Sequence, residues 1–92
     1  MEFAKSMSGH DRGQYYLIQK KDEKFVYLVN GDTKKWDDPK KKNRKHIQVV
    51  KILPQEVKEV LTEQPTDITI KKAIKTYVRL IQNNGKKPAA ES

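Results

Sequence analysis

Ser6-Met7-Ser8-Gly9-His10-Asp11-Arg12-Gly13-Gln14-Tyr15-Tyr16-Leu17-Ile18 is the stretch whose reading decides the fold of this chain. Its first half is dense in turn formers. Two glycines flank a short-chain aspartate, which suits positive φ angles and close approach of backbone to backbone. Its second half, 14–19, is rich in aromatic and β-branched residues and reads as a strand. Tyr15 and Tyr16 are neighbours in that strand, so they face opposite sides: one is expected in the core, and the other is free to meet a partner.

Upstream, residues 3–7 form a short candidate first strand. Downstream, Lys20-Lys21-Asp22-Glu23 is a polar turn and Phe25-Val26-Tyr27-Leu28-Val29 a further strand. Asn30-Gly31 suits a type I′ turn, because both residues tolerate positive φ, so a tight hairpin with a short return strand over 33–36 is expected. A polar basic loop, 37–44, leads to a strand over 46–50 that runs on toward Ile52.

The composition changes after Leu53. Pro54 suits a first helical turn, where its missing N–H costs nothing. Val57, Val60 and Leu61 then share one face of a short helix, and Pro65 stops it. Thr66 or Asp67 caps a second helix in which Ile70, Ala73, Ile74, Tyr77, Val78 and Ile81 recur at helical spacing; Asn83-Asn84-Gly85 suits its end. The expected architecture is mainly β with C-terminal α: a small antiparallel barrel over 1–53, a two-helix extension packed on it over 54–84, and a disordered tail over 85–92.

The turn and the strand after it resemble a KOW motif. Asp11-Arg12-Gly13 stands where that family carries Asp-Lys-Gly, with Gly13 as the key glycine. The similarity continues through the hairpin at Asn30-Gly31, Lys34-Lys35, the Pro-Lys-Lys-Lys run ending in Lys45-His46-Ile47, and the helix containing Ile70, Lys71, Lys72, Ala73, Ile74 and Tyr77. In that order the segments look like the small bacterial relatives of KOW-bearing large-subunit ribosomal proteins of archaea and eukaryotes, over roughly residues 3–82. The resemblance implies an SH3-like barrel and RNA binding in a ribosomal setting.

Charge points the same way by an independent route. Twenty Lys and Arg against twelve Asp and Glu give +8 and a pI near 9.7 over 92 residues. Such a surface attracts phosphate backbones through Coulomb forces and counterion release; it also attracts anionic membranes. Hydrophobic residues make up 35%, enough for one modest core. There is no cysteine, so disulfides and thiolate metal sites are out of reach. Neither a secretory signal nor an apolar run of spanning length is present, and a cytoplasmic protein is expected.

Between 34 and 46 lie Lys34, Lys35, Lys40, Lys41, Lys42, Arg44 and Lys45 against Asp37 and Asp38, or 7 − 2 = +5. A loop anchored at both ends presents such cations to phosphates, which give affinity and position rather than sequence specificity. The bland alternative is a solvated loop. On the second helix Lys72, Lys75 and Arg79, with Lys71, lie opposite the apolar stripe, and no acidic residue occurs from 68 to 90. That favours a polyanion over an ordinary mixed surface. Trp36 beside the basic loop suits stacking on an unpaired base, although a lone Trp in a small barrel is more often core.

His10, Arg12 and Gly13 in the first turn are candidates for phosphate contact. His10 and His46 without a convergent carboxylate cluster make a poor zinc site, and Asp37-Asp38 before Pro39 fits turn shaping better than acid–base work. No phosphate-cradling loop, dinucleotide fingerprint or activated nucleophile is evident, so no enzyme and no cofactor are expected. The expectation is a non-enzymatic RNA-binding protein directed at ribosomal RNA of the large subunit, with ribosomal proteins as possible neighbours and neither small-molecule substrate nor membrane as partner. Two other classes compete: a protein-interaction module of the transcription or translation machinery, and a DNA-binding helix pair, whose exposed lysines suit phosphates better than bases.

Overall fold

The computed structural model describes residues 1–61 and 64–91, with side chains through 83. The elements in order are β1 Phe3–Ser6, β2 Tyr15–Lys21, β3 Phe25–Val29, β4 Lys40–Asn43, β5 Ile47–Val50, α1 Gln55–Val60 and α2 Asp67–Glu91, with a single 3-10 turn, Arg44–His46, between β4 and β5. All strand pairs are antiparallel, in the order β4-β3-β2-β1-β5. The chain is mainly β with C-terminal α. Among the described residues, no helix is long and apolar enough to cross a membrane.

Strand alternation splits the sheet into two differently filled faces. In register, Phe3 lies opposite Leu17 and Leu17 opposite Val29, and these three point to the helices. There they meet Leu53, Val57, Leu61, Ile70 and Ala73 in the larger cluster. Tyr77 of α2 packs edge-on against both Phe3 and Tyr15, at centroid distances of 5.5 and 5.2 Å. The other face carries Ala4, Tyr16, Val26 and Leu28, a second and smaller buried cluster. Tyr16 is thus the buried member of the tyrosine pair, as strand geometry requires of one of them.

The backbone ladder leaves the barrel open, because β4 and β5 are the two sheet edges and do not pair. The 3-10 turn joins them in sequence, a Met7 N–H donated to the His46 carbonyl at 2.8 Å extends the β1–β5 pairing, and side chains from β4 described below reach the first turn.

The hairpin at Asn30-Gly31 differs from expectation. Gly31 has φ +75° but no non-glycine residue among those described has positive φ, so a type I′ turn is not formed. Instead the Asn30 Oδ1 accepts the N–H groups of Asp32 and Lys34, both at 2.9 Å, and 33–36 is not a strand. The return strand comes later, with Leu28 opposite Lys40 and Phe25 opposite Asn43. The intervening residues are spent on docking to α2. The Trp36 N–H donates to Asp67 Oδ1 at 2.7 Å, and Gly31 lies so close that an added Cβ would fall 2.0 Å from the Asp67 carbonyl oxygen.

The helices start where turn chemistry places them. The Pro54 carbonyl accepts the N–H groups of Val57 and Lys58. Thr66 and Thr69 cap α2 reciprocally: the Thr66 N–H donates to Thr69 Oγ1 at 2.8 Å and the Thr69 N–H to Thr66 Oγ1 at 3.2 Å, a capping box with threonine at its third position. This explains how a β-branched run begins a helix. The backbone stays helical to Glu91, past the expected stop at Asn83-Asn84-Gly85. Gly85 costs about 1 kcal/mol and Pro88 about 3 kcal/mol relative to alanine in a helix interior, so intrinsic propensity does not account for this extension. The expected tail falls on residues whose side chains, and Ser92 entirely, lie outside the described ones, as do 62 and 63 between the two helices.

Candidate nucleic-acid interface

The turn between β1 and β2 is built around one inward-pointing carboxylate. Gly9 and Gly13, at φ +88° and +90°, let the chain reverse twice within five residues. The Arg12 N–H closes on the Gly9 carbonyl, the Gly13 N–H on that of Ser6, and the Gln14 N–H on that of Asp11. Asp11 is thereby swung under the sheet, where it is 7% exposed, while His10 and Arg12 on either side point to solvent.

Inside, Asp11 accepts four hydrogen bonds. Oδ1 takes the Ser6 hydroxyl and the Lys42 ammonium, each at 2.8 Å. Oδ2 takes the Tyr16 hydroxyl at 2.7 Å and the Lys40 ammonium at 2.8 Å. Lys42 also donates to the Ser8 carbonyl at 2.9 Å. Burial by itself would push the Asp11 carboxyl up, but the donors from Lys40, Lys42, Tyr16 and Ser6 outweigh it and hold the group far below the usual carboxylate range. Burial, then the hydrogen bond to Asp11 and the charge it carries, push the Tyr16 phenol well above its ordinary value.

This arrangement redistributes the basic segment expected at 34–46. It is not one continuous loop, because 40–43 is an edge strand. Lys40 and Lys42 lie opposite Leu28 and Val26 and point inward to Asp11; the Lys42 side chain keeps only 11% exposure and that of Lys40 32%. Inward charge on an edge strand also blocks edge-to-edge aggregation. Lys41 points the other way, its ammonium 4.2 Å from the Phe25 ring centroid. Arg44 donates to the Asp22 carbonyl at 3.0 Å, and Lys45 and Lys35 are exposed while Lys34 is half-buried. Trp36 is 40% exposed and lies outside the core clusters, against the core assignment favoured from its type. Its carbonyl accepts the Gln19 amide at 2.8 Å, so its place is set by backbone bonds.

Lys71, Lys72, Lys75 and Arg79 of α2 divide into two groups. Lys72 and Arg79 line a cleft with Glu56 and Glu59 of α1, so the acidic side chains that 68–90 lacks are supplied there by the neighbouring helix. Lys71 and Lys75 instead border a groove of about 410 Å³ between α2 and the sheet. Its far wall is Gly13, Gln14 and Tyr15, with Asn30 and Asp32 at one end and Ile74, Val78 and Ile81 along the helix side. An added Cβ at Gly13 would meet nothing within 4 Å, so φ alone, rather than space, calls for glycine there.

Two features escaped the sequence reading. The inward role of Asp11 was signalled only by the alternation of Lys40-Lys41-Lys42 against Val26 and Leu28, which becomes visible once the register is known. The cations stationed over aromatic rings, Lys5 on Tyr15, Lys20 on Tyr27 and Lys41 on Phe25, depend likewise on cross-strand pairing. No protein-family model matches the sequence, and no curated protein is significantly similar to it.

Proposed function

We propose that the chain is a non-enzymatic RNA-binding protein of the KOW type, cytoplasmic, acting on ribosomal RNA of the large subunit. One observation carries the reading: the turn keeps its only carboxylate inside and leaves His10 and Arg12 outside, beside a groove whose opposite rim is Lys71 and Lys75. A phosphate approaching that turn meets cations and backbone, with the Asp11 charge already neutralised by two ammonium groups. Among the described residues the ion pairs are Lys21–Glu2, Lys40–Asp11, Lys42–Asp11 and a looser Lys71–Asp32 at 3.9 Å. Arg12, Lys35, Lys41, Lys45 and Lys75 take part in none of these, and all are exposed. Their charge remains for phosphates, which they position without reading sequence.

The apolar side of the groove, Ile74, Val78 and Ile81, supports a second reading as a protein-interaction module. Cosedimentation with purified large ribosomal subunits across a salt series separates the two. Saturable binding that weakens steeply with salt is expected for RNA contact. Binding that ignores salt and survives nuclease treatment of the target favours the protein module.

A further inference from the structure

The face of the sheet that holds Phe3, Leu17 and Val29 under the helices does not end where the helices end. Along β3 the same face continues through Tyr27 and Phe25, both only half-buried. Across the strands Lys20 lies opposite Tyr27, and Tyr27 opposite Lys41, so a transverse row Lys20–Tyr27–Lys41 runs over β2, β3 and β4 with Phe25 beside it. Lys20 holds its ammonium 5.7 Å from the Tyr27 ring centroid and Lys41 4.2 Å from that of Phe25. Lys24 and Arg44, both exposed, meet at the Phe25 end, where the Arg44 N–H donates to the Lys24 carbonyl at 2.8 Å. Asp22 stays a charged carboxylate at the end of the row, with its acceptors turned to the backbone N–H groups of Lys24 and Phe25 and to the Tyr27 hydroxyl.

We propose that this outer face of β2, β3 and β4 is a stacking platform for the unpaired bases of single-stranded RNA, with Phe25 and Tyr27 as the two stacking rings. The proposal rests on the RNA-binding reading and names the form of RNA it takes. Residues two apart on a strand stand about 7 Å apart on one face, a spacing that serves consecutive bases of an extended, unstacked strand. Aromatic rings ringed by lysines give base stacking with phosphate neutralisation, a combination that tolerates any base because every base has a π-face. The ammonium groups already lie over the rings, so an incoming base displaces a flexible side chain rather than a packed residue, and the displaced lysine moves to the adjoining phosphate. A bulge between Ile18 and Lys20 borders the row. Its extra residue, Gln19, ties down the backbone of the half-exposed Trp36, which places an indole-bearing loop at the platform's edge. Double-stranded RNA has no free base faces to offer and gains nothing here.

The test uses the full chain, oligouridine as the single-stranded probe and a blunt RNA duplex as control. Affinities are measured for the wild type and for Phe25→Leu and Tyr27→Leu, and a 4-thiouridine oligouridine is photocrosslinked to the wild type. The expected result is crosslinking at 25–27, with about a tenfold or greater loss of oligouridine affinity for each variant and duplex affinity unchanged. Oligouridine binding with crosslinks elsewhere and no loss in the variants overturns the platform and leaves the RNA reading intact, as does wild-type binding to the duplex alone. Binding to neither RNA overturns the RNA reading and the platform with it. The crosslink is read on the wild type, so misfolding of a variant does not blunt the test.

Discussion

Asp11 and Lys42, thirty-one residues apart in the chain, meet at 2.8 Å on the inner face of the sheet. This contact and its twin from Lys40 link the first turn to the edge strand where the backbone ladder leaves the barrel open. The link is made by side chains: a carboxylate on one side and two ammonium groups on the other.

Removing that charge while keeping its shape isolates its contribution. Asp11→Asn leaves Lys42 desolvated with no counter-charge. Breaking a buried pair by removing one partner typically costs about 3–5 kcal/mol. The lower end, about 3 kcal/mol, is expected, because Lys40 is exposed enough to turn toward water. Urea denaturation at neutral pH measures it. An unchanged midpoint would show that the carboxylate does not hold the turn to the edge strand.

The same residues set a pH window. Because the folded Asp11 carboxyl titrates far below its unfolded value near 3.8, its stabilisation is complete above that value and is lost as the pH falls from there through the folded value. Tyr16 runs in the opposite sense. Its folded pKa is raised above the unfolded value near 10.0, so its contribution is complete below pH 10 and is lost as the pH rises above it. Thermal melts should fall off below about pH 4 and above about pH 10; the Tyr27 and Tyr77 phenols are raised as well, so Tyr16→Phe should shrink the alkaline fall while keeping the acid one. A Tyr16→Phe melt whose alkaline fall is as large as the wild type's would show that Tyr16 does not contribute to it.

Glycine substitutions separate two kinds of constraint. Gly13 needs only its left-handed backbone, so Gly13→Ala should cost about 1–2 kcal/mol. Gly31 needs both its φ and the empty space beside the first turn of α2, where an alanine Cβ would overlap the Asp67 carbonyl. Gly31→Ala should therefore cost more than Gly13→Ala, by pushing 30–36 off the helix. Equal destabilisation in a paired denaturation series would mean that the loop shifts without resistance.

The strands, the helical stripe and the turn at 8–13 were legible because each is written in local pattern: period-two alternation, period-3.6 recurrence, paired glycines. The 3-10 turn and the late return strand were not. Asn30-Gly31 has the chemistry of a tight hairpin, but tertiary contacts of Gly31 and Trp36 with Asp67 override it, and that partner lies more than thirty residues away. The basic segment was legible as charge and illegible as geometry. Lys40, Lys41 and Lys42 are identical in sequence, and only their register against β3 sends two inward and one outward.

Inward and outward lysines should therefore answer differently to substitution. If 34–46 acted as one loop, Lys40→Ala, Lys41→Ala and Lys42→Ala would weaken RNA binding alike. In this structure Lys42 is spent on Asp11 and Ser8, whereas Lys41, Lys35 and Lys45 face away from that cluster. Removing one phosphate-binding cation should flatten the slope of log affinity against log salt by about one. Replacing Lys35, Lys41 and Lys45 by alanine should flatten the slope and weaken binding to many RNA sequences alike, with the urea midpoint nearly unchanged. Lys42→Ala should do the reverse, lowering the urea midpoint and leaving the salt slope of the folded fraction where it was. Cosedimentation with large ribosomal subunits and urea titration of the same four variants decide it. Should Lys42→Ala flatten the slope while leaving stability intact, Lys42 is a phosphate ligand and its partnership with Asp11 gives way when RNA binds.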